Sequence, residues 1–164
     1  MDLKTESDAL GKIPMFAKLE PSKLRLLAFT SQSLTFDDGE ILFNQGDPSD
    51  SAYVLLKGDT EVLVLTGGRV DVAGVLGINE LVGEMGVLAN APRSATIRAR
   101  GQVVALRIEA DMFLDLLAEN PSVALDVMRQ LSSKLARSHR RYEQLQEETM
   151  LASDHAGAST YLGE

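Results

Sequence analysis

Seven short apolar runs, at residues 34–36, 41–43, 52–56, 61–65, 69–73, 95–99 and 103–108, succeed one another at near-regular spacing. Turn signals separate them: Asp37-Asp38-Gly39, Gly46-Asp47-Pro48, Gly58-Asp59, Gly67-Gly68 and Arg100-Gly101. Such runs are too short for an amphipathic helix but long enough for a strand. Many short strands separated by Gly-rich turns restrict this part of the chain to an antiparallel sandwich or barrel.

After Ile108 the period changes. Residues 111–118 carry Met112, Phe113, Leu116 and Leu117 on one helical face, with Asp111 in a first turn that favours negative charge. Asn120-Pro121 reads as an N-cap followed by Pro at the first helical position. One helical pattern then runs to about residue 150, roughly 45 Å at ~1.5 Å per residue. Within it Ala124, Met128, Leu131, Leu135, Ser138, Tyr142 and Leu145 alternate spacings of four and three. That heptad seam predicts a parallel helix pair, and so a homodimer through residues 121–150. Upstream, residues 21–29 predict a short helix opened by Pro21, with Leu24, Leu27 and Ala28 as its apolar face. Residues 1–12 are expected to be a flexible N-terminus, and residues 151–164 a small, polar, disordered tail.

A chain of 164 residues is expected to be one domain burying about 70% of its unfolded surface. No apolar stretch approaches the ~20 residues of a membrane span, so no membrane partner is expected. The opening M-D-L-K-T-E-S-D lacks the basic and apolar regions of a secretory signal, which with the absence of cysteine predicts a cytoplasmic protein. Absent cysteines also exclude disulfides, thiolate metal sites and cysteine-ligated iron–sulfur clusters. A net charge of −8 argues against non-specific nucleic-acid binding. Asp37-Asp38 and Asp47/Asp50 lack the spacing of an EF-hand and read as turns. Lys134, Arg137, Arg140 and Arg141, followed by Glu143, Glu147 and Glu148, read as the solvated flanks of a coiled coil. Both histidines, His139 and His155, follow the strand-rich part, and no Walker-type loop is present. An enzyme is not expected, and neither catalytic nor metal-ligating residues are assigned.

Residues 83–96, G-E-M-G-V-L-A-N-A-P-R-S-A-T, carry the chemistry. They set an acid and an arginine nine positions apart around a small-residue turn and a Pro. Glu84 can accept two hydroxyl hydrogen bonds, while the fixed fork of Arg93 can clamp a phosphate, which a lysine could not do. Gly83 and Gly86 remove side-chain bulk where a sugar-phosphate must approach the backbone. Together with Met85 they open a short helical turn whose N–H groups face an anion. A Glu and an Arg at this spacing can equally form a surface ion pair contributing about 0–1 kcal/mol. Spacing alone leaves both readings open.

The string closely resembles the phosphate-binding cassette of the cyclic nucleotide-binding domain family, seen in cAMP receptor proteins, kinase regulatory subunits and cyclic-nucleotide-gated channels. The resemblance covers residues 15–145. It implies a mainly β fold with helices, a double-stranded β-helix or jelly-roll (β-roll) of about eight strands, flanked by short N-terminal helices and a long C-terminal helix. The β-roll would occupy residues 13–120, and residues 121–150 would form a dimerisation and lid helix. The implied ligand is a cyclic mononucleotide, cAMP in preference to cGMP, with no cofactor. Glu84 would accept from the ribose 2′-hydroxyl and Arg93 would hold the phosphate, joined by the Ser94 hydroxyl and the Ala95 N–H. Val82 and Met85 would line the apolar side of the sugar. Ser138 and His139 fall where cAMP receptor proteins place their adenine-contacting residues, although Ser138 also suits a small seam filler and His139 an exposed helix position. A helix-turn-helix module would follow the long helix in those proteins, and residues 151–164 are too few for one. Direct DNA binding is therefore not expected, and the signal would pass to an unidentified protein effector by movement at a hinge near residues 119–121. Two alternatives stand beside this reading: a coiled-coil interaction module with a vestigial pocket, and a truncated transcription regulator acting through mixed dimers.

Overall fold

Two long strands organise the sheet. β3 (Ser51–Thr66) and β6 (Thr96–Glu109) run antiparallel from Ser51↔Glu109 to Leu63↔Thr96. The computed structural model describes the backbone of residues 3–162 and the side chains of residues 4–152. One half of β6 pairs with β1 (Gln32–Phe36) and the other with β2 (Ile41–Phe43). In the same way β3 pairs with β5 (Leu81–Val82) near its start and with β4 (Arg69–Leu76) towards its end. Each long strand thus serves two short partners in turn, in keeping with the β-roll that the resemblance implies.

The strand count differs from expectation. Six strands are present among the described residues rather than about eight. Gly58-Asp59 and Arg100-Gly101 are not turns between separate strands; both lie inside long ones. The β3–β6 register slips between Leu55 and Lys57 and again between Lys57 and Asp59. Gly58 sits there with φ +85, where a Cβ would stand 2.2 Å from the backbone oxygen of Gln102. A glycine bulge bends a strand without ending it, so turn chemistry in the sequence overcounts the strands.

Tyr53, Leu55, Leu76, Val82, Ile97, Ala99, Val103 and Ala105 form the buried sheet core, with Phe36, Leu42 and Phe43 packed against it. The N-terminal residues are better organised than expected. Residues 3–11 form α1 (Leu3–Gly11), followed by a short 3-10 turn at Pro14–Phe16 and by α2 (Pro21–Thr30). Leu10, Ile13 and Phe16 recur every three residues and are all buried, which gives this polar-looking segment an apolar stripe to anchor it.

α4 (Ala110–Glu119) buries Phe113, and α5 (Pro121–Leu162) starts at the expected proline. Its helix continues past residue 150 to Leu162, where an irregular tail was expected; the added stretch has alanines at 152, 156 and 158 and no proline. The chain separates into the units Met1–Val127 and Met128–Glu164. Val123 and Val127 belong to the first unit and are buried. In the second unit the seam residues Leu135, Tyr142 and Leu145 are exposed.

Asn120 does not cap α5 with its side chain as expected. Its carbonyl accepts from the N–H groups of Val123 and Ala124 at 3.0 and 3.1 Å. Its amide instead donates to Leu116 O at 2.8 Å, and its Oδ1 accepts from Lys23 Nζ at 2.8 Å. Lys23 on α2 therefore holds the α4–α5 junction by a charged hydrogen bond, an arrangement that no local spacing predicts.

Candidate functional site

Arg93 is fixed by its backbone before its side chain acts. Its N–H donates to Asp47 O, and its carbonyl accepts from Gly46 N–H, both at 2.8 Å. The turn that receives it is closed by Asn44 N–H donating to Asp47 Oδ2 at 2.9 Å. The side chain points inward and is 2% exposed. Nη1 donates to Gly83 O at 2.8 Å, and Nη2 donates to Ser51 Oγ at 3.2 Å and lies 3.5 Å from Asp50 Oδ1. The guanidinium carbon stands 4.0 Å from the centroid of the Phe43 ring, a cation–π contact. Nε is buried with no hydrogen-bond partner.

Burial pushes the Arg93 pKa below the ordinary arginine value, and the charge of Asp50 pulls it partly back. The guanidinium nonetheless stays charged at neutral pH. Asp50 also lies 3.4 Å from Arg107 Nη2 through its second oxygen, so one carboxylate bridges two cations. Burial works to lower Arg107 as well; its hydrogen bond to Glu109 and that residue's charge outweigh it, and the pKa rises.

Opposite Arg93, the chain leaves β5 at Val82 and turns through Gly83, φ +81, into α3 (Glu84–Ala89). Glu84 is fully buried in the first turn of α3, where the amide ends favour a negative group. The turn closes through Ala91 N–H to Gly86 O at 2.9 Å and Ser49 Oγ–H to Ala91 O at 2.6 Å.

In the structure both cassette glycines also make room for the protein's own side chains. A Cβ on residue 83 would stand 2.4 Å from Arg93 Nη1 and 3.0 Å from the Phe43 ring. One on residue 86 would stand 2.0 Å from Ser49 Oγ.

The structure sets Gly83 against Arg93, with Glu84 and Gly86 in the helical turn that follows Gly83. Val82 is fully buried within the sheet core, whereas Met85 is 48% exposed. Ser94 is exposed and Ala95 half-buried. Ser138 and His139 lie on α5 in the second unit, both exposed, with His139 Nε2 3.1 Å from Glu143 Oε1. Nothing in the residue order points to Phe43 or Ser51, and Asp50 reads there only as part of a turn. Ser51 and Arg93 are 42 residues apart, and only the fold of β3 and the cassette joins them. Among the described residues no cluster of His, Asp and Glu could hold a metal ion, and no helix is long and apolar enough to cross a membrane.

Comparison with known proteins agrees with this geometry. The profile of the cyclic nucleotide-binding domain matches residues 33–120, from β1 to the α4–α5 junction. An uncharacterized NTE family protein of Mycobacterium bovis is 30% identical over 130 residues, covering 79% of this chain and 22% of that one. A cAMP-dependent protein kinase regulatory subunit of Blastocladiella emersonii is 30% identical over 109 residues, covering 66% and 27%. The chain thus spans about a quarter of the length of these relatives. The regulatory subunit of a cAMP-independent protein kinase A from Trypanosoma brucei shares the fold, with a TM-score of 0.72 at 22% identity, covering 87% of this chain and 51% of that one. With more than half of its residues matched and the cassette folded around Arg93, the chain belongs to the cyclic nucleotide-binding domain family.

Proposed function

We propose that this protein is a receptor for a cyclic mononucleotide, cAMP in preference to cGMP, which signals to a protein effector. One observation carries the reading: a permanently charged guanidinium is held inside the fold beside the buried Glu84 turn, with its Nε unpartnered. Burying a charge is unfavourable unless something compensates, and an anionic phosphate supplies the missing acceptor. Glu84 would take the ribose 2′-hydroxyl, with Ser94 and the Ala95 N–H at the phosphate and Met85 at the sugar's edge. The Blastocladiella relative, named as cAMP-dependent, supports cAMP as the ligand. Ser138 and His139 would meet the purine when the long helix moves about residues 119–121, and the exposed seam of α5 would form a homodimer. Such a module acts as a cytoplasmic regulator and needs no catalytic group of its own.

Isothermal titration with cAMP, cGMP and 2′-deoxy-cAMP on the full chain and on Arg93→Ala tests this. Micromolar binding of cAMP, weakened by removal of the hydroxyl and lost in the variant, is expected. Absence of heat with all three nucleotides would overturn it.

A second reading rests on the same guanidinium. Both of its terminal nitrogens already have acceptors, Gly83 O and Ser51 Oγ, with Asp50 alongside. A site satisfied by its own protein can be idle, and the exposed seam of α5 would then be the working surface of an interaction module. Titration that yields no heat while the chain remains dimeric would favour this reading.

A further inference from the structure

α1 and α2 flank an open cleft of about 560 Å³ that shares no residue with the cassette. Its size falls within the ~300–1,000 Å³ typical of small-ligand sites. The floor is apolar: Leu24 is half-buried, and a Cβ on Gly11 would stand 3.3 Å from Leu24 Cδ1, so the two helices approach closely there. Ser7 adds a largely buried hydroxyl.

Its charge is opposite to that of the whole chain. Lys4, Lys12 and Arg25 line the cleft against one acid, Asp8, in a protein of net charge −8. All three cations are exposed, and none of their side chains forms an ion pair or hydrogen bond among the described residues. Like charges around one concavity repel one another until an anion enters.

We propose that the α1–α2 cleft binds a small amphiphilic anion, its apolar body over Leu24 and its carboxylate or phosphate head among Lys4, Lys12 and Arg25. A neutral ligand leaves the three charges without a partner, and a cation adds to the repulsion. α2 also carries Lys23, which donates to Asn120 at the α4–α5 junction, so the ligand would rest on the helix that holds that junction. The proposal does not depend on the cassette binding a nucleotide.

The test is an amide-resolved NMR titration of the full chain with sodium octanoate, 1-octanol and inorganic phosphate as separate probes. Octanoate is expected to give saturable shifts at Ser7, Gly11 and Leu24, with octanol and phosphate each about tenfold weaker. Lys12→Glu with Arg25→Glu should weaken octanoate by about tenfold or more, since it reverses two charges at the site. Both positions are exposed, and Lys12→Gln with Arg25→Gln provides a milder pair should the reversal disturb folding. Four results would each overturn the proposal: no saturation, equal binding of octanol, equal binding by the variants, or shifts centred on the exposed Phe29 and Val70.

Discussion

Arg93 Nη1 donates to the carbonyl of Gly83 at 2.8 Å, and a Cβ on residue 83 would stand 2.4 Å from that same nitrogen. Glycine is therefore required twice at one position, by its φ of +81 and by the guanidinium packed against it. Gly83→Ala should destabilise the fold by about 1–2 kcal/mol from the left-handed backbone alone, with the displaced arginine adding to that. Urea denaturation measures the loss. Nucleotide affinity should fall with it, and unchanged stability would show that the turn rearranges freely.

Arginine and lysine should not be equivalent at position 93. The fork reaches Gly83 O and Ser51 Oγ at once while stacking on Phe43, and an ammonium cannot copy that geometry. Arg93→Lys should lose cAMP affinity by about tenfold to a hundredfold, in line with ~1.5–3 kcal/mol for a charged hydrogen bond. Calorimetry that finds lysine equal to arginine would remove the bidentate role.

Two glycines in neighbouring strands should respond oppositely to alanine. Gly58→Ala drives a Cβ towards the backbone oxygen of Gln102, which cannot move without disturbing the β3–β6 ladder. The loss should exceed about 2 kcal/mol, above the usual range for a left-handed position. At Gly74 on β4 a Cβ meets nothing within 4 Å, so alanine there should stabilise by roughly 0.5 kcal/mol. Paired denaturation curves decide the matter, and similar values for both would refute the bulge argument.

Lys23 and Asn120 should be energetically coupled. A double-mutant cycle with Lys23→Met and Asn120→Ala should return an interaction of about 0.5–2 kcal/mol, because the charged bond lies in a partly buried site. Additive losses within about 0.3 kcal/mol would mean the contact does not hold the junction.

Leu131 and Leu135 lie on the seam of α5, half-buried and exposed respectively. Replacing both by Glu should halve the molecular mass seen by light scattering if this seam joins two chains, since buried like charges oppose pairing. A mass that stays dimeric would move the interface elsewhere.

Local chemistry was legible in the residue order. The string from Gly83 to Thr96 disclosed the cassette through its resemblance to a family. Pro21 and Pro121 open their helices, and the change of period after Ile108 marks where strands give way to helices. Each of these rests on contacts within a few residues, where backbone sterics and periodicity act without help from the rest of the chain. The overcounted strands show the limit. A glycine with positive φ serves a turn or a bulge equally well, and only the slipped pairing of β3 with β6 decided for the bulge at Gly58. What surrounds Arg93 was decided in the same way. Phe43, Asp50 and Ser51 come from a distant segment, and the long ladder of β3 on β6 carries them to the cassette. Residue order alone thus tells which groups bear the charge; what fills the space around them follows from the fold, because burial and partnership arise from pairings across the whole sheet.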